Sequence, residues 1–235
     1  MVLGSRRDRR RNNEKLLGQK MALKLFLALA LIVYASFGFA MTPSAELNQT
    51  ELAKLTGKQL IVHSKEIPRC PWPEITVFTL IDVSPVEAAA LFSNYQDHKT
   101  YIPDLIKSDP TRKIAENEIV VDFEMRLPWP LANSKYSTGN VCNRLDNNEY
   151  EISWYLVESD SLIDTKGIVQ FIPYGKKTLL KYQSLIHPDS KLASVLSSKV
   201  RGGISKTVQA IVTYIEETKK NNPEKMQKLI SALLK

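Results

Sequence analysis

From Ile119 to His187 the apolar residues of this chain recur every second position, and from Ser190 they recur about every 3.6 residues. That change of period constrains the fold more than any other feature, because it sets a run of strands before one long helix. The clearest strand is 119–127: Ile119, Val121, Phe123, Met125 and Leu127 fall on one face, with Val120, Asp122, Glu124 and Arg126 on the other. Such a half-buried pattern belongs to an antiparallel sheet with one face on the core. A strand over 135–145 follows, then the turn Asp146-Asn147-Asn148. Next comes a strand on which Tyr150, Ile152, Trp154 and Leu156 alternate with Glu149, Glu151, Ser153 and Tyr155. Strands over 164–172 and 178–187 flank Tyr174-Gly175-Lys176, a hairpin signal. The long helix carries Leu192, Leu196, Val200, Ile204, Val208, Ile211 and Ile215 on one face. Gly202-Gly203 lies inside it, at about 1 kcal/mol per glycine relative to alanine.

Upstream, 50–55 reads as a short helix and 59–65 as a first or edge strand. Pro68, Pro71 and Pro73 make 67–73 a loop, and 74–83 is rich in β-formers. Ser84-Pro85-Val86-Glu87 combines a capping residue, a proline at the first helical position and a glutamate placed to complete a capping box. The helix it opens runs to about Ser93, followed by a polar turn, a second short helix and a proline exit at Pro103. A weaker strand covers 106–115, and Asn222-Pro223 starts a last short helix with Met226, Leu229, Ile230 and Leu233 on its apolar face. Strands segregated from helices give an α+β class. The expected architecture is a curved antiparallel sheet of six to seven strands gripping the long C-terminal helix, with two short helices after the first core strand. The volume between sheet and helix is the natural place for a ligand.

Charge narrows the function classes. The formal net charge is +7, but residues 1–40 hold eight Lys/Arg and two acids, which leaves 24 basic against 23 acidic residues beyond them. The remainder has no electrostatic footprint for nucleic acid. Residues 25–40, LFLALALIVYASFGFA, form an apolar run behind a basic flank and end in small residues. They read as a secretory signal peptide cleaved near Ala40, which places the mature protein outside the cytoplasm, in a periplasm; the alternative is an uncleaved membrane anchor. Either Met1 or Met21 is compatible with the start of such a signal. Cys70 and Cys142 both lie in the exported part, and the sequence leaves open whether they pair. His63, His98 and His187 share no metal-ligand spacing, and neither a phosphate-binding loop nor a nucleophile elbow is present, so no cofactor or metal is expected.

Two short motifs add a resemblance. Asn94-Tyr95 followed by Tyr101, Ile102 and Pro103, and the run Pro128, Trp129, Pro130, Leu131, stand in the order and context found in the START-like (SRPBCC) superfamily of helix-grip folds. That superfamily includes lipid-transfer START domains, coenzyme Q-binding START proteins and polyketide cyclases. The chain departs from the pattern where Ser134-Lys135 replaces an Arg-Asp pair before Tyr136. The resemblance spans Leu52 to Lys219. It divides the chain into a leader (1–40), an N-terminal extension (41–66), a START-like domain (67–220) and a C-terminal short helix (221–235). It implies a hydrophobic molecule, a lipid or isoprenoid quinone, held between the sheet and the C-terminal helix.

The expected ligand contacts are Tyr101 at the mouth, Val121, Phe123 and Met125 on one strand, and Ile152 and Trp154 on the next. Val169, Phe171 and Tyr182 extend the wall, and Val200, Ile204 and Val208 face it from the helix. For each of these, core packing is the competing role. The loop 158–162 and the turn 95–103 would rim the entrance. Lys191, Lys199, Arg201 and Lys206 form either a solvated helix face or a patch for transient membrane contact. No catalytic residue is assigned. The alternatives to a carrier are a cyclase/aromatase-type or hydrolytic enzyme on the same fold, and an interaction module without a cavity.

Overall fold

The structure, a computed structural model, describes residues 46–190, 192–193 and 200–235. The leader with its apolar run 25–40, together with Lys191, Leu196, Lys199 and the side chains of Val200 and Arg201, lies outside the described residues. The elements are α1 (Gln49–Thr56), β1 (Ile61–Lys65), β2 (Glu74–Ile81), α2 (Pro85–Phe92), α3 (His98–Tyr101), β3 (Leu105–Ala115), β4 (Glu118–Met125), β5 (Ser134–Arg144), β6 (Tyr150–Ser159), β7 (Leu162–Tyr174), β8 (Lys177–Pro188), α4 (Val200–Asn221) and α5 (Pro223–Leu233).

The eight strands form one antiparallel sheet in the order β1-β2-β8-β7-β6-β5-β4-β3. From β3 to β8 each strand pairs with its sequence neighbour, and the hairpin β1–β2 joins through β8, with Ile75 opposite Ser184 and Ile81 opposite Thr178. The count exceeds the expected six to seven because the weakly patterned segment before Lys65 pairs as an edge strand, Ile61 opposite Phe78. At the other edge β3 runs 11 residues despite Pro110. An edge strand tolerates the missing N–H, and the ladder shifts register at that proline.

Local signals operate as the sequence suggests. The Glu87 carboxylate accepts from the Ser84 backbone N–H at 2.6 Å and from its hydroxyl at 2.9 Å, so α2 starts at Pro85. Asn48 and Glu51 close a reciprocal capping box on α1. Gly175 has φ +60 in the β7–β8 turn, a conformation that suits a residue without Cβ.

Packing occupies both faces of the sheet. On one face Ile75, Val77, Ile152, Val169, Phe171 and Leu180 meet Ala88, Ala89 and Leu91 of α2 and Val208, Ile211 and Ile215 of α4. The α2 alanines have no side chain beyond Cβ and let the helix approach the strands closely. Met226 of α5 is 2% exposed in the same cluster, so the last helix packs its apolar face inside the molecule. On the other face Leu47 and Leu55 cover Phe78, Leu80 and Leu179. The segments read as an extension and as a separate last helix thus contribute an edge strand and a core layer, and Leu47–Lys235 forms one compact unit. Both cysteines are free: Cys70 Sγ bonds to the Ile186 carbonyl at 3.5 Å, and Cys142 lies beside Ser93 Oγ at 3.8 Å.

Candidate functional site

Register decides which side chains face α4. Reading across the sheet, Asn140 stands opposite Trp154, Trp154 opposite Gly167, and Gly167 opposite Ser184. The next row towards one end is Cys142, Ile152, Val169 and Tyr182, and then Arg144, Tyr150, Phe171 and Leu180. In the other direction lie Thr138 and Tyr136, opposite Val121 and Phe123 of β4. Helix α2 covers the end of this face that holds Ile152, Val169 and Phe171 and fills it. The opposite end is not filled, and there a cavity of about 830 Å³ lies between β4–β8, the turn 95–105 and the first half of α4.

The expected ligand contacts therefore divide. Phe123, Met125, Trp154, Tyr182 and Ile204 line the cavity. Val121, Ile152, Val169, Phe171 and Val208 are each 0% exposed and lie in the packed interior away from its wall. Strand periodicity places Ile152, Val169 and Phe171 on the same face as Phe123, Met125, Trp154 and Tyr182 and cannot tell which end of that face a helix fills. Tyr101 is stacked on Tyr214 of α4 at 4.2 Å and 15°, and borders a separate groove of about 440 Å³ between α3 and α4. The side chain of Val200 lies outside the described residues.

The wall also holds polar side chains that sequence reasoning missed. Ser134, Thr138 and Asn140 of β5, Thr165 of β7 and Ser184 of β8 line the cavity and are each 5% exposed or less. Tyr136, Trp72 and His98 join them. The signal was the alternation Ser134-x-Tyr136-x-Thr138-x-Asn140, which a search for apolar periodicity passes over. Trp154 and Tyr182 pack at 5.4 Å, and Phe123 and Tyr136 at 5.3 Å. Gly167 makes room for the first pair: a Cβ there would come within 2.2 Å of the Trp154 ring and 2.3 Å of the Gln183 carbonyl oxygen. Among the described residues, charged groups at the wall are confined to an exposed rim of Asp104, Arg126 and Lys206.

Against solved structures, the chain superposes on a STAR-related lipid transfer protein from Xanthomonas axonopodis with a TM-score of 0.61 at 13% identity, over 66% of this chain and 93% of that one. Human STARD10 gives 0.53 at 15% identity, over 76% and 85%. The Zhui aromatase/cyclase from Streptomyces sp. R1128 gives 0.53 at 9% identity, over 62% and 94%. The fold is the START-like helix-grip fold. No protein-family model matches the sequence, and no curated protein matches it at a significant level.

Within this START-like frame, the position where the superfamily pattern carries an Arg-Asp pair serves as a strand tie. Ser134 Oγ bonds Ser161 Oγ at 2.5 Å, and the Lys135 N–H donates to Asp160 at 3.0 Å. The turn before β3 is tied on two sides. Ser108 Oγ donates to the Tyr95 carbonyl at 2.6 Å. Asp97 accepts from Lys225 Nζ at 2.7 Å, Tyr214 OH at 2.5 Å and Asn94 Nδ2 at 2.5 Å. Burial alone would raise the Asp97 carboxyl, but these donors outweigh it and hold the group below its ordinary value. The START-like turn is thereby fastened to both C-terminal helices.

His98 is 4% exposed among Phe92, Tyr95, Tyr101 and Phe123, and its Nε2–H donates to the Phe92 carbonyl at 2.7 Å. Burial pushes its pKa down to about 4, against smaller opposing effects from that carbonyl and from Asp97. Burial pushes the Tyr136 phenol up to about 12 and raises Tyr182 as well. The described buried wall is therefore neutral at ordinary pH.

Gly202 and Gly203 are exposed at the rim, and a Cβ on either would meet no atom of the described residues within 4 Å. They mark no close approach of helix to sheet. Gly202→Ala and Gly203→Ala are expected to stabilise the protein by up to about 1 kcal/mol each through helix propensity, read as a higher urea midpoint with an unchanged slope.

Proposed function

We propose that this protein binds a hydrophobic small molecule or lipid in the cavity between sheet and α4 and carries it, exchanging it by transient contact with a membrane. The observation that carries this reading is the 830 Å³ cavity walled by Phe123, Met125, Trp154, Tyr182 and Ile204. Its volume falls within the range of small-molecule sites. Burial of a ligand's apolar surface there supplies about 25 cal/mol per Å². The likeness to structures described as lipid transfer proteins supports the same reading.

The cyclase/aromatase-type or hydrolytic alternative needs an acid–base pair inside the cavity. His98 has its Nε2–H committed to Phe92, and Asp104, the carboxylate among the described lining residues, is exposed at the rim. Binding is the reading this wall favours.

Native mass spectrometry of gently purified protein tests it, with a bound apolar molecule as the expected result. Met125→Trp, which places an indole in the cavity, is expected to abolish that adduct while the protein stays folded. Apo protein from several expression hosts, with no uptake of added lipid, would sink the reading.

For membrane contact the candidate is the loop between β4 and β5. Trp129, in a cis peptide with Pro130, is 93% exposed beside Pro128 at the cavity rim, and Ile163 is 62% exposed on β7. Tryptophan favours the membrane–water interface. Trp129→Ala is expected to reduce vesicle co-flotation about tenfold without changing ligand capacity in detergent. An unchanged flotation would remove the loop from the mechanism.

Export through residues 25–40, with cleavage near Ala40, completes the proposal. A mature N-terminus at Met41 in the exported fraction is the expected finding. Retention of the full mass in the membrane fraction would instead support the anchor.

A further inference from the structure

The polar atoms inside the cavity point to the kind of head group it takes, an inference that rests on the ligand-binding reading above. Trp72 lines the cavity at 5% exposure, and its Nε1 has no hydrogen-bond partner among the described residues. Asn140 spends its Nδ2 on the Thr138 carbonyl at 3.0 Å and the Thr138 hydroxyl at 2.8 Å, which leaves its Oδ1 as an acceptor. Tyr136 adds a phenol held to the wall by its stack on Phe123. These groups supply one donor, one acceptor and one hydroxyl that can act as either. All are uncharged.

We propose that the cavity selects an uncharged amphiphile whose hydroxyl and carbonyl groups are met along the wall by Trp72, Tyr136 and Asn140. A ligand presenting only hydrocarbon to these atoms leaves a buried donor and acceptor unsatisfied, at about 1–3 kcal/mol each. An ionised phosphate brought to them meets no cation among the described buried lining residues, and an unpaired buried charge costs far more than an unpaired neutral group. A phosphate left at the rim meets Arg126 and Lys206, but also the Asp104 carboxylate, and its acyl chains then face the unsatisfied interior. Both placements disfavour an ionised lipid relative to a neutral one of the same chain length.

The test compares 1,2-dioctanoylglycerol with 1,2-dioctanoyl phosphatidic acid, which differ only at the head, and with n-hexadecane as a headless probe. Each is delivered from cyclodextrin to the full chain, and binding is read from the fluorescence of Trp72 and Trp154. The diacylglycerol is expected to bind at least tenfold more tightly than the phosphatidic acid. Tyr136→Phe and, separately, Trp72→Phe are expected to weaken diacylglycerol binding about 3- to 10-fold and to leave hexadecane binding undiminished or tighter, since each removes a polar atom that hydrocarbon leaves unsatisfied. Phosphatidic acid binding as tightly as the diacylglycerol, or substitutions that weaken hexadecane equally, would overturn the head-group assignment while the cavity reading stands. Failure of all three probes to bind would overturn the cavity reading, and this inference with it.

Discussion

Phe171→Ala lowers the unfolding free energy by about 3–5 kcal/mol and the melting temperature by about 10 °C. Phe171 is 0% exposed, its ring meets Phe92 at 5.9 Å in an edge contact, and it lies where α2 closes over β6 and β7. Removing the ring leaves a void that α2 cannot fill, because the alanines it presents to the strands have nothing to extend into the space. Calorimetry of wild type and variant, both stripped of ligand, reads the effect directly. A residue in the cavity wall would behave differently, losing ligand affinity with little change in the stability of the empty protein. If Phe171→Ala shows that second pattern, the boundary drawn between packed core and cavity is in the wrong place.

Acidification from pH 7 to about pH 4 is expected to cost about 3 kcal/mol through His98 alone. The unfolded chain takes up a proton on this imidazole near 6.5, whereas the folded protein takes it up only near 4. Between those values the unfolded state binds more protons, so stability falls as pH falls. The physical cause is burial among aromatic rings, with Nε2–H already committed to Phe92. Asp97, held below its ordinary 3.8, loses its contribution only beneath that window. Glu149, held above 4.5 by burial and by Glu151, acts in the opposite sense near the bottom of the window. His98→Gln separates these contributions. Urea titrations across the range should show a steep slope in wild type and a shallow one in the variant. Equal slopes would mean that His98 is not the group responsible.

The sequence makes much of this fold legible, and the reasons can be stated residue by residue. β4 alternates cleanly, Ser84-Pro85-Val86-Glu87 writes the start of α2 in full, and Tyr174-Gly175-Lys176 marks its hairpin. Each is a local signal with a local structural cause. The edge strand β1 was harder to read because a strand paired on one side needs little burial and so little pattern. The cavity was only half legible. Phe123, Met125, Trp154, Tyr182 and Ile204 carry the apolar period of an inner face, but so do Ile152, Val169 and Phe171, and only the placement of α2 separates the two sets. Ser134, Thr138, Asn140, Thr165 and Ser184 escaped because small polar residues on a strand ordinarily read as its wet side. Their burial depends on a helix that begins a dozen residues beyond the end of β8 in the chain, which no local window contains.

The pairing of β2 with β8 also bears on the order in which the chain acquires its shape. Ile75 finds its β8 partner only when Ser184 has been made, and β1 reaches the rest of the sheet through β2. A growing chain can build β3 to β7 as successive hairpins, yet the hairpin β1–β2 joins them only when the last strand is made. Closing contacts so far apart in sequence is slow. The seam that completes the sheet, and with it the cavity, therefore forms late, when nearly the whole polypeptide is present.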